Sequence, residues 1–208
     1  MLRIGVLVSG GGTNLQAIID GIESGLIPDA RIEIVISNRK KAYALTRAAE
    51  ANIDTCVIGK KQFETSDAFD AALASKLKEA NVDLVLLAGF MAILGPGFFT
   101  DFENKVMNVH PALIPAFSGP GYYGLKVHEE VLATGCKVTG ASVHFVTPEV
   151  DGGPLILQQA VNVDQDDDPE TLQRRVMEEA EWKIYPEAVR LFALGFLEVR
   201  GQHVYIKN

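Results

Sequence analysis

With 208 residues, 48% apolar and 22% charged, the chain fits one ordinary α/β domain and excludes disordered and fibrous classes. Its net charge of −8 argues against a general nucleic-acid binder, which needs a basic surface to displace phosphate counterions, but leaves room for a local anion site. Only two, widely separated cysteines, Cys56 and Cys136, support neither a disulfide framework nor a zinc cluster, so a reducing cytoplasm is the expected location.

Residues 3–8 form an unbroken apolar run that predicts a buried strand, too short for a signal-peptide core and without a small-residue cleavage site behind it. No window approaches ~20 uninterrupted apolar residues, so no membrane span is expected. The run stops at Ser9-Gly10-Gly11-Gly12-Thr13-Asn14. Behind it Leu15, Ile18, Ile19 and Ile22 fall at helical spacing, with Gly25 placed to end the helix. A strand, glycine loop and helix in this order aim backbone N–H groups and the positive end of a helix dipole at one spot. The loop lacks the Lys-Ser/Thr pair of a P-loop, and Leu15 stands where the dinucleotide fingerprint needs its third glycine. The next strand ends in Ser37-Asn38-Arg39, with no acid for a ribose. A single phosphate is the better match, and a tight turn that merely needs glycine is the alternative.

Further strands are predicted near 31–37, 53–58 and 82–88, with helices through 42–51 and 67–80 between them. This alternation predicts an α/β fold with a doubly wound, mostly parallel sheet and helices on both faces, over residues 1–208 as a single domain. Ligands of such sheets collect at the carboxyl ends of the strands, here the turns at 9–14, 89–95 and 108–115. The second of these, Gly89-Phe90-Met91-Ala92-Ile93-Leu94-Gly95, is apolar where loops are usually polar, and either plugs the core or lines a pocket for a flat apolar ligand.

The third turn follows Val106-Met107-Asn108-Val109-His110-Pro111. Alternation puts Asn108 and His110 on one face of an extended chain, and Pro111 and Pro115 prevent its continuation as a helix or central strand. A Gly/Pro-rich loop follows at 116–124, then a helix through 125–133 and a strand at 137–146 carrying His144. Asp151 heads a Gly-Gly-Pro turn whose amides can hold a carboxylate ionised. Another strand follows at 155–163. Asp164 to Asp168 fails the EF-hand pattern, lacking glycine at the sixth position and carrying Arg175 at the twelfth; Asp168 with Pro169 instead predicts a helix start. Pro186 is expected to kink or interrupt that helical region before Val189 and Leu191, and residues 196–206 to form a terminal hairpin. No HxxxH or HExxH array occurs, so no catalytic metal is expected.

The segments Ser9 to Leu15, Leu87 to Leu94, Asn108-Val-His110-Pro to Pro115, Val143-His-Phe-Val146 and Asp151-Gly-Gly-Pro together resemble the phosphoribosylglycinamide formyltransferases of purine synthesis, across essentially the whole chain. The resemblance implies a Rossmann-like formyltransferase fold and transfer of a formyl group from 10-formyltetrahydrofolate to the amine of glycinamide ribonucleotide, without a covalent enzyme intermediate or a metal. It implies Asn108, His110 and Asp151 as catalytic residues, with Asp151 favouring the imidazolium form of His110. It places the substrate phosphate on Gly11, Gly12, Thr13 and Asn14, the ribose on Glu181, and the folate against Ser66, Met91, Ala92, Ile93, Leu94, Asn108 and Val146. His144 would support the site without touching substrate. Ala92 and Ser66 stand where relatives carry arginine, and Trp182 where they carry histidine. The partners implied are these two small molecules, with neither nucleic acid nor membrane, and no oligomeric state follows. A folate deformylase, or a non-catalytic folate- or nucleotide-binding module, is the competing reading; the glycine loop argues against the first, because hydrolysis needs no phosphate site.

Overall fold

Continuous apolar runs, too uniform for a sheet with one wet face, become parallel strands in the first half of the chain. The computed structural model describes residues 1–207 and divides into two units, Met1–Asn108 and Val109–Asn208. In the first, β1 (Leu2–Val8), β2 (Ala30–Ser37), β3 (Thr55–Val57), β4 (Leu84–Ala88) and β5 (Val106–His110) lie in the order β3-β2-β1-β4-β5, all parallel. The crossovers run through α1 (Thr13–Glu23), α2 (Tyr43–Glu50), α3 (Ser66–Glu79) and α4 (Pro96–Asp101). Right-handed crossovers put α1 and α2 on one face and α3 and α4 on the other, and α1 indeed packs on α2 and α3 on α4. Covered on both faces, Ile4, Val6, Leu7 and Val8 of β1 and Leu84, Val85 and Leu86 of β4 are fully buried.

The strand order reverses between β1 and β4, which makes their carboxyl ends the topological switch point where ligands of open α/β sheets bind. Val8 pairs with Ala88 and Leu87 with Asn108. The glycine loop, the 89–95 loop and Asn108 therefore leave neighbouring strands at one edge of this unit. Helix α4 was not expected. Its six residues are too few to show a period, and it is held by Pro96 at its start and by Phe98, which is buried and stacks on Phe102 with 5.2 Å between ring centroids.

The second unit holds α5 (Leu125–Ala133), β6 (Val138–Phe145), β7 (Leu155–Asn162), α6 (Pro169–Val176), α7 (Trp182–Ala193), β8 (Leu197–Arg200) and β9 (His203–Ile206). Here β6 pairs antiparallel with β7, and β8 with β9 as the expected hairpin. The doubly wound strands are those of the first unit, and in the second β7 also pairs parallel with β9, at Leu155 and His203. Asp168 caps α6, accepting the Thr171 N–H at 2.8 Å, and Pro169 occupies the first turn as expected. The neighbouring acids are neutralised by Arg175, which reaches Asp167 at 2.6 Å and Asp164 at 2.8 Å.

Pro186 does not interrupt α7, contrary to expectation. The irregularity instead lies upstream, in a π turn at Met177–Glu181. A proline ring crowds the carbonyl four residues before it, here that of Trp182 at the end of the π turn, and leaves the residues after it helical. No helix among the described residues is long and apolar enough to cross a membrane.

Candidate active site

In the first unit the glycine loop is built by its neighbours. Gly12 adopts φ +76°, and a Cβ on it would come within 2.6 Å of the Ala44 Cβ, so α2 lies directly against the loop and only glycine fits. Helix α1 then starts with no side-chain cap, and its positive end carries no acidic side chain in the first turn. The 89–95 loop is pinned at two points by buried side chains. The Met91 N–H donates to Ser9 Oγ at 2.8 Å, and the Gly95 N–H donates to Asp70 Oδ2 at 2.7 Å. Ser9 and Asp70 are themselves 2% and 3% exposed, which makes both acceptors rigid. Between the pins Met91 and Ile93 stand exposed while Leu94 is buried. The loop is thus no core plug at these two positions; it presents an apolar surface on a fixed backbone.

In the second unit the alternation of β5 delivers His110, two residues beyond Asn108 and on the same face, to a carboxylate and a carbonyl. His110 is buried. Its Nδ1 lies 3.5 Å from Asp151 Oδ2, and its Nε2–H donates to the Phe117 carbonyl at 2.8 Å. The other carboxylate oxygen, Oδ1, lies 3.6 Å from His144 Nε2, while His144 Nδ1–H donates to the Phe145 carbonyl at 2.9 Å. A backbone amide completes the set, the Gly119 N–H donating to Asp151 Oδ2 at 2.9 Å. Asp151 thus sits between two imidazoles, each anchored at its far nitrogen by a carbonyl.

The turn that presents Asp151 is sterically specified. A Cβ on Gly153 would fall 1.8 Å from the Phe145 carbonyl oxygen, which explains the Gly-Gly-Pro sequence behind the aspartate. Asp151 itself has φ +54° and Phe117 φ +48°, a left-handed conformation that Asp tolerates and a bulky aromatic rarely adopts. Both residues are partners of His110.

Burial is the largest influence on Asp151 and raises its pKa, but the His144 hydrogen bond, the His110 ring and the Gly119 amide together hold it below the ordinary carboxylate value. For His110 the balance goes the other way. Burial lowers its pKa below 6.5, with the nearby His144 adding to the effect, against the opposing influence of Asp151 and the Phe117 carbonyl. Asp151 pulls toward the imidazolium as expected, but desolvation outweighs it, and the His110 pKa lies below its ordinary value. Such a pair is equipped to take up a proton.

The other expected positions are distributed as follows. Thr13 and Asn14 open α1, Ala92 lies within the pinned loop, Val146 is half-buried just past β6, and Ser66 is the exposed first residue of α3. Glu181 is 6% exposed and ends the π turn of the second unit. Four contributors escaped sequence reasoning, namely Ser9, Asp70 and the backbone groups of Phe117 and Gly119. Asp70 did leave a signal, as an acid on the buried stripe Phe69, Leu73, Leu77 of α3; the backbone groups left none.

Comparison with known proteins bears directly on this arrangement. The formyl transferase family model matches residues 2–189. The chain belongs to the formyl transferase family. Among curated relatives of the family, phosphoribosylglycinamide formyltransferase of Haemophilus influenzae is 41% identical over 206 residues, covering 99% of this chain and 94% of the relative. The enzyme of the same name from Escherichia coli is 39% identical over 205 residues, 99% of this chain and 93% of its own length. The crystal structure of glycinamide ribonucleotide transformylase 1 from Symbiobacterium toebii superposes with a TM-score of 0.94 at 48% identity, covering 100% of this chain and 95% of that one. The family's Rossmann-like α/β architecture is the fold described above.

Proposed function

We infer that the protein is a glycinamide ribonucleotide formyltransferase of purine biosynthesis, with residues 1–208 acting as one catalytic domain in the cytoplasm. The observation that carries the inference is the end of β5, where Asn108 and a buried His110 share a face and Asp151 lies 3.5 Å from the ring. Near-full-length relatives of that name support it.

The donor is 10-formyltetrahydrofolate, and the acceptor is the primary amine of the ribonucleotide. The amine nitrogen attacks the formyl carbon, the carbonyl electrons move onto oxygen, and a tetrahedral centre forms. Asn108 donates an amide hydrogen to that oxyanion at any pH. The amine proton leaves through Asp151, directly or by way of water, to His110 Nδ1, which lies 3.5 Å from Asp151 Oδ2, and the carboxylate then balances the imidazolium that forms. The His110 Nε2–H first leaves the Phe117 carbonyl, exchanging a neutral acceptor for a charged one. Collapse breaks the bond from the formyl carbon to N10, and the proton passes from His110 to that nitrogen. The substrate phosphate rests on the amides of Gly11, Gly12, Thr13 and Asn14, the ribose on Glu181, and the pteridine against Met91 to Leu94, Asn108 and Val146. Ser66 and Ala92 bring no charge to the glutamate tail of the folate, which then depends on backbone contacts.

Purified protein given both substrates should release tetrahydrofolate and formylated ribonucleotide in equal amounts. Formate release independent of the ribonucleotide would instead establish a deformylase, and no turnover by the folded protein would overturn both.

A further inference from the structure

The three carbonyls of the glycine loop are all occupied, and two of them by α2. Gly10 O accepts the Ala44 N–H at 3.0 Å, Gly11 O accepts Arg47 Nε–H at 2.9 Å, and Gly12 O accepts the Gln16 N–H at 2.9 Å. In a trans peptide the C=O of one residue and the N–H of the next point in opposite directions. Tying down Gly10 O and Gly11 O against α2 therefore turns the N–H groups of Gly11 and Gly12 away from α2, and the helical bond of Gly12 O directs the Thr13 N–H out of the start of α1. Gly10 and Gly11 are exposed, and Gly12 and Thr13 are half-buried. Glycine alone does not select this arrangement, since it allows each peptide plane to flip.

Among these three carbonyls, that of Gly11 is tethered by a side chain, Arg47, which is itself held. Its Nη1 donates to Gln16 Oε1 at 3.2 Å, and its guanidinium lies 5.1 Å from the centroid of the Tyr43 ring. A guanidinium fixed on two sides can hold the Gly11 carbonyl and at the same time place a positive charge behind the loop.

We propose that Arg47 is the positioning residue of the phosphate site, fixing the Gly11–Gly12 peptide so that its one N–H, that of Gly12, receives the phosphate of the acceptor substrate. This rests on the formyltransferase reading for the identity of the substrate, though not for the loop geometry. Arg47→Met keeps the stem and loses the fork; Arg47→Lys keeps the charge and one donor. With each substrate varied in turn, Arg47→Met should raise KM for glycinamide ribonucleotide about tenfold or more, as loss of a hydrogen bond to a charged group does. KM for 10-formyltetrahydrofolate should stay within about twofold and kcat within about threefold, and Arg47→Lys should recover part of the loss.

A second measurement, titration of the protein with inorganic phosphate alone, reads the same loop without turnover. Phosphate should bind wild type about tenfold more tightly than Arg47→Met. Equal phosphate affinities, or KM values that rise together for both substrates, would overturn the proposal. If wild type binds phosphate through Arg47 and transfers no formyl group, the functional reading fails while the role of Arg47 stands. Should Arg47→Met fail to fold, Arg47→Lys carries the same comparison, and its identity to wild type in both measurements would reject the fork.

Discussion

Both nitrogens of the His110 ring face acceptors, and only an imidazolium supplies two donors. Burial nevertheless favours the neutral form, so the site is poised to take up a proton when new negative charge appears. The C2–H resonance of His110 should titrate with a midpoint below 6.5 in the free protein, and lower still in Asp151→Asn, which removes an influence that raises it. A midpoint above 7 in wild type would reject the downward shift. For the neighbouring amide, Asn108→Ala should reduce kcat by about 10²-fold with much smaller changes in either KM, the signature of a donor used mainly in the transition state. Steady-state kinetics with purified variant checks this, and near-wild-type turnover would remove Asn108 from the oxyanion role.

At the scale of elements, the 89–95 loop shows how a strand end can present apolar side chains to solvent. Apolar side chains there would bury themselves if the backbone were free. Ser9 and Asp70 hold the amides of Met91 and Gly95, and Met91 and Ile93 stay in solvent. Asp70→Ala should therefore raise KM for the formyl donor by about threefold to tenfold and leave KM for the ribonucleotide unchanged, the value expected for one charge-assisted hydrogen bond. Equal effects on both substrates would mean a general loss of structure. Asp70 also has a pH signature. Burial raises its pKa above 3.8, against the Gly95 hydrogen bond, so the folded chain binds its proton more tightly than the unfolded chain does. That contribution is present at low pH and is lost as pH rises through the folded pKa. Asp70→Asn, which cannot ionise and keeps an acceptor for Gly95, should gain in melting temperature relative to wild type between pH 4 and pH 8.

At the scale of the whole molecule, His128 links the packing of α5 to acid stability. The ring is 0% exposed, neither nitrogen has a hydrogen-bond partner among the described residues, and burial, assisted by His110, lowers its pKa to about 4. Between that value and 6.5 the unfolded chain binds the proton and the folded chain does not, so stability falls as pH drops through this window. From pH 7 to pH 5 the loss from this one group should be roughly 2 kcal/mol. Denaturant unfolding of wild type and His128→Leu at the two pH values measures it. The variant should lose less on acidification, and parallel losses would show that His128 is already satisfied in the fold.

Much of this was legible in the residues themselves. The apolar runs of β1 and β4, the helical spacing behind the glycine loop, the Asp168-Pro169 helix start and the parity of Asn108 and His110 follow from backbone periodicity and proline sterics, which are local and act wherever the sequence occurs. Family motifs spread over the chain identified the chemistry. Other features required the tertiary structure. The displacement of the helix irregularity from Pro186 to Met177–Glu181 depends on which carbonyl the ring crowds once the turn is packed. The downward shift of the His110 pKa depends on how much water burial removes, which no spacing encodes. The carbonyls of Phe117 and Gly11 and the amides of Met91, Gly95 and Gly119 belong to the backbone, and every residue carries such groups. Which of them converge on a side chain is decided only when strands distant in sequence bring their ends together.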